Sequence, residues 1–142
     1  MIQHEIIALY RQGNQFGKLI DMEYDVLEDG TITHQIKISE KHLATPVAAH
    51  GGVLSALADS TLGVAALAVS AKDGNVVSTV EFKITYMRPV IKGDIIEGIP
   101  RVRQAGKKII FVEADFVNQN GELVGIANGT FNQYPATKIF NV

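Results

Sequence analysis

The segment His50-Gly51-Gly52-Val53-Leu54-Ser55-Ala56-Leu57-Ala58-Asp59-Ser60-Thr61 opens a long apolar run with a pair of glycines and then sets a single carboxylate inside it. From Gly52 to Ala71 the run is dominated by Ala, Val and Leu. An aspartate in such surroundings is expensive unless its charge is solvated, paired or used, and an acid in use is a general base or a nucleophile. The glycines supply a second chemistry. At a helix N-terminus the first N–H groups have no intrahelical acceptor and carry the positive end of the helix dipole, and the absent side chains let a ligand approach them. The same residues also suit a helix packed tightly on a strand and a structural acid hydrogen-bonded to backbone or to Thr79, so both readings stand at this point.

The elements that must hold these groups follow from the patterning along the chain. Ile2, Ile6, Leu9 and Tyr10 recur at helical spacing before Gly13-Asn14, which predicts an N-terminal amphipathic helix within residues 1–13. Residues 19–27 and 31–39 flank Asp29-Gly30 and read as a strand hairpin. A loop over 40–49 leads to a helix over about 51–71, with Ala49 or His50 near its N-cap and Gly74-Asn75 as its stop. Strand-like runs follow at 76–87, 94–103, 108–118 and 123–134, joined in part by the turn segments 105–107 and 118–121, before a C-terminal tail over 135–142. The order is α+β in a single domain over 1–142. A helix apolar nearly all round requires a sheet curled about it, and the exposed edges of that sheet invite side-by-side pairing of two copies.

Bulk properties exclude several functions. A net charge of −2 gives no electrostatic footprint for nucleic acid or an anionic membrane surface. The absence of cysteine removes disulfides, thiolate metal sites and cysteine nucleophiles, and is compatible with a cytoplasmic protein. The first ten residues place an acid near the start and lack a basic region and a small-residue cleavage site, so no signal peptide is expected. The 51–71 run approaches membrane-spanning length, but Asp59, Ser55, Ser60, Thr61 and Ser70 make it a better central helix than a span.

The combination of His50-Gly51-Gly52, Leu57-Ala58-Asp59, Phe82-Lys83-Ile84-Thr85-Tyr86-Met87-Arg88-Pro89 and Gly93-Asp94 resembles the hotdog-fold acyl-CoA thioesterases, in the branch that holds PaaI and thioesterase superfamily member 2. The resemblance covers roughly residues 40–133. It implies a hotdog fold, a homodimer commonly paired into a homotetramer, and metal-free hydrolysis of acyl-CoA at sites between protomers. No cofactor is implied, coenzyme A being part of the substrate. By that resemblance Gly51 matches the oxyanion donor, Gly52 lies beside it, and Asp59 is the base or nucleophile. Thr79 stands where a relative has a serine that orients water. A departure occurs at Ala44, where many relatives carry an asparagine that assists the substrate carbonyl.

Spacing adds a constraint. Gly51 and Asp59 are eight residues apart, about 12 Å along a helix that rises about 1.5 Å per residue. An aspartate cannot span that gap, so each site is expected to take its donor from one protomer and its acid from the other. His50 and Asp59 fall on opposite helix faces, which disfavours a dyad and leaves His50 a role in fixing the entry loop ahead of a catalytic one. Glu81, Tyr86 and Arg88 near a strand end, with Arg103, Lys107 and Lys108, are the candidate contacts for coenzyme A, against solvated surface charges or core packing as the plainer reading. His4, His34 and His42 show no metal-ligand spacing. A hydratase or dehydratase and a non-catalytic acyl-CoA binding module are the alternatives, and the acyl group is not legible.

Overall fold

The computed structural model describes residues 1–140; the last two positions of the expected C-terminal tail lie outside the described residues. Helix α1 (Gln3–Gly13) and a short α2 (Gln15–Leu19) precede β1 (Met22–Val26) and β2 (Ile32–Lys37). The long helix α3 (Gly51–Ser70) follows, then β3 (Asn75–Tyr86), β4 (Ile95–Ala105), β5 (Ile109–Val117) and β6 (Leu123–Pro135). The strands form one antiparallel sheet in the order β1-β2-β4-β5-β6-β3. This curled sheet around one helix is the hotdog arrangement.

Alternation along the strands decides which face the helix meets. In β5, Ile110, Val112, Ala114 and Phe116 are buried, and they pack with Leu57, Ala58, Leu62, Ala65 and Ala66 of α3. Close approach has a specific cause at Gly98 of β4, where a Cβ would sit 2.4 Å from Thr61 Oγ1. A helix this apolar is long enough to cross a bilayer, but here it is the core helix. Its far end is closed by a second cluster in which Ile6 of α1 meets Leu67, Ala71, Val76 and Ala136. Gly74, at φ 74°, supplies the left-handed turn that ends the helical stretch.

Two differences from the sequence reading matter. The expected strand over 19–27 starts only at Met22, because Asn14 Oδ1 accepts from the Gly17 N–H at 3.1 Å and caps an extra helical turn over 15–19. Leu19 therefore ends a helix, and Asp21, at φ 59°, makes the turn into β1. The second difference is at Asp59. It is half-exposed in the single chain rather than buried, because the face of α3 bearing Ser55, Ala56, Asp59 and Gly63 is left incompletely covered by the sheet.

Candidate active site at the central helix

The loop before α3 is built around two histidines. His42 is buried; its Nδ1 accepts from the Ser39 N–H at 2.9 Å, its Nε2 donates to the Ile20 carbonyl at 2.7 Å, and its own carbonyl accepts from the His50 N–H at 2.7 Å. His50 is thereby fixed as the N-cap, and its Nδ1 accepts from the Gly52 N–H at 2.8 Å. This explains the second glycine: a Cβ at Gly52 would lie 2.8 Å from the capping imidazole nitrogen. It also divides the donors. The Gly52 N–H is used by the cap, whereas the Gly51 N–H has no acceptor among the described residues. Tyr86 Oη donates to the Gly51 carbonyl at 2.7 Å and meets Ser55 Oγ, clamping the first helical turn from the end of β3.

Asp59 sits two turns further on and accepts from Thr79 Oγ1 at 2.7 Å. Thr79 can reach it because it lies directly opposite the buried Phe131, on the same face as Val77; just beyond it β3 carries a bulge, where Glu81 pairs with Thr130 and Val80 is an extra residue with no partner. The bulge resets the alternation, and Phe82 and Ile84 beyond it pack into the core on the same side as Thr79. The neighbouring Ser60 bonds through Oγ to Nε2 of buried His34 at 2.8 Å, and burial lowers the His34 pKa to about 4.

The two candidate groups open onto different spaces. Gly51, His50, Tyr86 and Arg88 line a cavity of about 320 Å³ whose apolar wall includes Ile38 and Val53. Asp59 and Thr79 line another, of about 230 Å³, with Tyr10, Phe16 and Phe131. No residue lines both. One chain thus presents a free helix N-terminal donor in one cavity and a threonine-oriented carboxylate in another, the equipment for stabilising an oxyanion and for activating or supplying a nucleophile.

The remaining candidates scatter. Arg88 stands at the Gly51 cavity and pairs with Glu122 at 3.2 Å. Glu81 is exposed and accepts from Thr130 Oγ1 at 2.6 Å across the strand pair. Arg103 lies 3.7 Å from Glu113, and Lys107 and Lys108 occupy the β4–β5 turn; none of the three lines either cavity of the same chain. Ala44 donates through its N–H to the Ala48 carbonyl at 3.0 Å and offers no side-chain donor. The buried Asp94 of the Gly93-Asp94 pair accepts from the Ile91 N–H at 2.9 Å and from Gln119 Nε2 at 3.0 Å, holding the turn into β4. Two residues of these sites, His42 and Tyr10, carry no functional signal in the sequence. His42 belongs to no motif, and Tyr10 has the spacing of an ordinary apolar position of α1.

Comparison with known proteins bears on the fold and the family. Residues 48–125, from the loop before α3 to β6, match the family model described as the thioesterase superfamily. The Saccharolobus solfataricus protein SSO2140, which carries a provisional esterase name, is 32% identical over 127 residues, covering 89% of this chain and 88% of its own length. Two solved structures share the fold: the PaaI protein of the Escherichia coli phenylacetic acid degradation operon, with TM-score 0.80, 20% identity and 93% of each chain covered, and BH2602 of Bacillus halodurans, solved with CoA, with TM-score 0.76, 21% identity and coverage of 94% of this chain and 89% of that one.

Proposed function

From the premise that this chain belongs to the thioesterase superfamily, we propose that it hydrolyses acyl-CoA thioesters to a free acid and CoA in a homodimer whose sites are shared. The Gly51 N–H of one protomer receives the carbonyl oxygen. Asp59 of the other acts as general base or nucleophile, with Thr79 orienting the carboxylate and water. The observation that carries this reading is the division of one chain's donor and acid between two cavities with no lining residue in common.

Strand β3 supports the same reading. It is an edge strand of 12 residues, and the midpoint between Thr79 and Tyr86 falls between Phe82 and Lys83, in its second half. Antiparallel pairing of two β3 strands about that midpoint sets Thr79 and Asp59 of one chain beside Tyr86 and Gly51 of its partner. It also removes an exposed edge. The CoA in the Bacillus halodurans structure supports a CoA-bearing substrate, and Arg88, the one lysine or arginine that lines the Gly51 cavity, is the candidate cation for its phosphates. His50 and Gly52 hold the helix start rather than react. Glu81 is a weaker contact, and Arg103, Lys107 and Lys108 would meet coenzyme A only from another protomer of a tetramer.

The test is release of free thiol from aryl-, short- and medium-chain acyl-CoAs by the wild type and Asp59→Ala. Turnover that falls by about two to four orders of magnitude in the variant fits the proposal. Robust turnover by Asp59→Ala would remove Asp59 from the mechanism. Binding of CoA thioesters without any wild-type turnover would make the protein a binding module, with Ala44 then marking lost catalysis.

A further inference from the structure

We propose that the cavity beside Asp59 is the acyl chamber of the site and that Tyr10 and Phe16, supplied by the two N-terminal helices, limit the length of the chain it accepts. This rests on the thioesterase reading above and adds to it the class of acyl group, namely uncharged and compact.

The two cavities differ in charge. The one at Gly51 has the cation Arg88 in its wall and no acidic residue. The one at Asp59 is lined by no lysine or arginine, and Asp59 is its only acidic residue. A CoA arm, with its several phosphate charges, would meet a carboxylate there with nothing to offset it, so that arm belongs in the Gly51 cavity and the acyl group in the other. The same repulsion disfavours an acyl group that ends in a carboxylate. An uncharged chain instead meets Leu67, Val76, Phe131 and Ile139, and burying it there is favourable.

The chamber's outer wall comes from outside the motif-bearing core. Tyr10 is half-buried on α1, and its hydroxyl has no hydrogen-bond partner among the described residues. Burial first, and the Asp59 charge second, raise its pKa, so the phenol stays a neutral O–H. Phe16 is carried on the extra turn that Asn14 caps, and it is 58% exposed although it lines the chamber. An exposed phenylalanine on a short, separately capped turn is positioned to contact a ligand rather than to complete the core.

The experiment measures kcat/KM for straight-chain thioesters from acetyl-CoA to dodecanoyl-CoA, and for succinyl-CoA, with the wild type, Phe16→Ala, Tyr10→Ala and Val53→Ala, the last in the wall of the Gly51 cavity. The expected result is a poor rate with succinyl-CoA and a shift of at least about tenfold in the long-to-short preference for Phe16→Ala and Tyr10→Ala, with inhibition by free CoA unchanged. Val53→Ala should leave that preference alone. Phe16 is exposed, so its variant folds even where loss of Tyr10 loosens α1. Wild-type hydrolysis whose length preference neither chamber variant alters, or only Val53→Ala alters, would overturn the chamber. A wild type that hydrolyses none of the thioesters would overturn the underlying reading instead.

Discussion

Gly51 and Gly52 are adjacent, yet the structure gives them different tasks. Gly52 is small because the His50 ring lies over it, and its N–H is spent on the cap; Gly51 keeps a free N–H. A substitution separates the donor from the helix it starts. Proline is well tolerated at the first helical position and removes only the N–H, and the extended ψ of 134° at His50 suits a residue before proline. Gly51→Pro should therefore keep the melting temperature within a few degrees while lowering kcat by about a hundred- to a thousand-fold, as loss of one oxyanion donor does. Gly51→Ala, which keeps the N–H and meets Tyr86 Oη at an ordinary 3.4 Å, should retain most activity in the same assay. At the cap itself, His50→Ala should cost about 1 kcal/mol in a urea titration.

At the scale of elements, the fit of α3 into the sheet depends on what is missing as much as on what is buried. Gly98 admits Thr61, and a methyl group there would press on Oγ1 at 2.4 Å and on Cγ2 at 2.7 Å. Gly98→Ala should destabilise the protein by about 1 to 3 kcal/mol, and adding Thr61→Ala should recover part of that loss in a double-mutant cycle read by chemical denaturation. The bulge at Val80 and the extra turn at 15–19 are features of the same scale. Neither leaves a periodic signal. The bulge is a register shift visible only when β3 is laid against β6, and the turn needs Asn14 folded back over Gly17. The boundaries of α3 and of β4 to β6, by contrast, were legible because apolar alternation and the turn glycines Gly74 and Gly121 mark them directly.

Across the whole molecule, buried His34 ties pH to stability. Burial sets its folded pKa near 4, below the ordinary value of 6.5, so the unfolded chain takes up a proton first. Stability is unaffected above about pH 6.5 and declines as pH falls toward 4, by on the order of 3 kcal/mol once both states are protonated. Asp25, Asp29 and Glu40, held below their usual range chiefly by bonds from Arg11, the Thr31 N–H and Lys92, act at lower pH, which leaves this window to the histidine. Urea midpoints at pH 7 and pH 5 should differ accordingly, and His34→Gln should flatten the difference. The proposed sharing of the site between protomers makes another prediction at this scale. Asp59→Ala and Gly51→Pro chains should each be nearly inactive alone, yet refolding them together should restore activity in mixed dimers, because each such dimer keeps one complete site. No recovery on mixing, with mixed dimers verified, would place donor and acid in the same protomer.

The sequence by itself determined the central helix, its polar entry and the antiparallel meander, and singled out Asp59 as the one acid of that helix, because periodicity, glycine placement and residue type are local properties. It also determined that Gly51 and Asp59 lie too far apart on one helix to meet, since helical rise is fixed. Only the tertiary structure decided which glycine keeps its N–H, how Thr79 reaches Asp59, that the acid is half-exposed on a face the sheet leaves open, and that an N-terminal tyrosine and phenylalanine wall its cavity. Those depend on contacts between residues tens of positions apart, and the hydrogen-bond geometry that fixes them exists only once the sheet has closed around the helix.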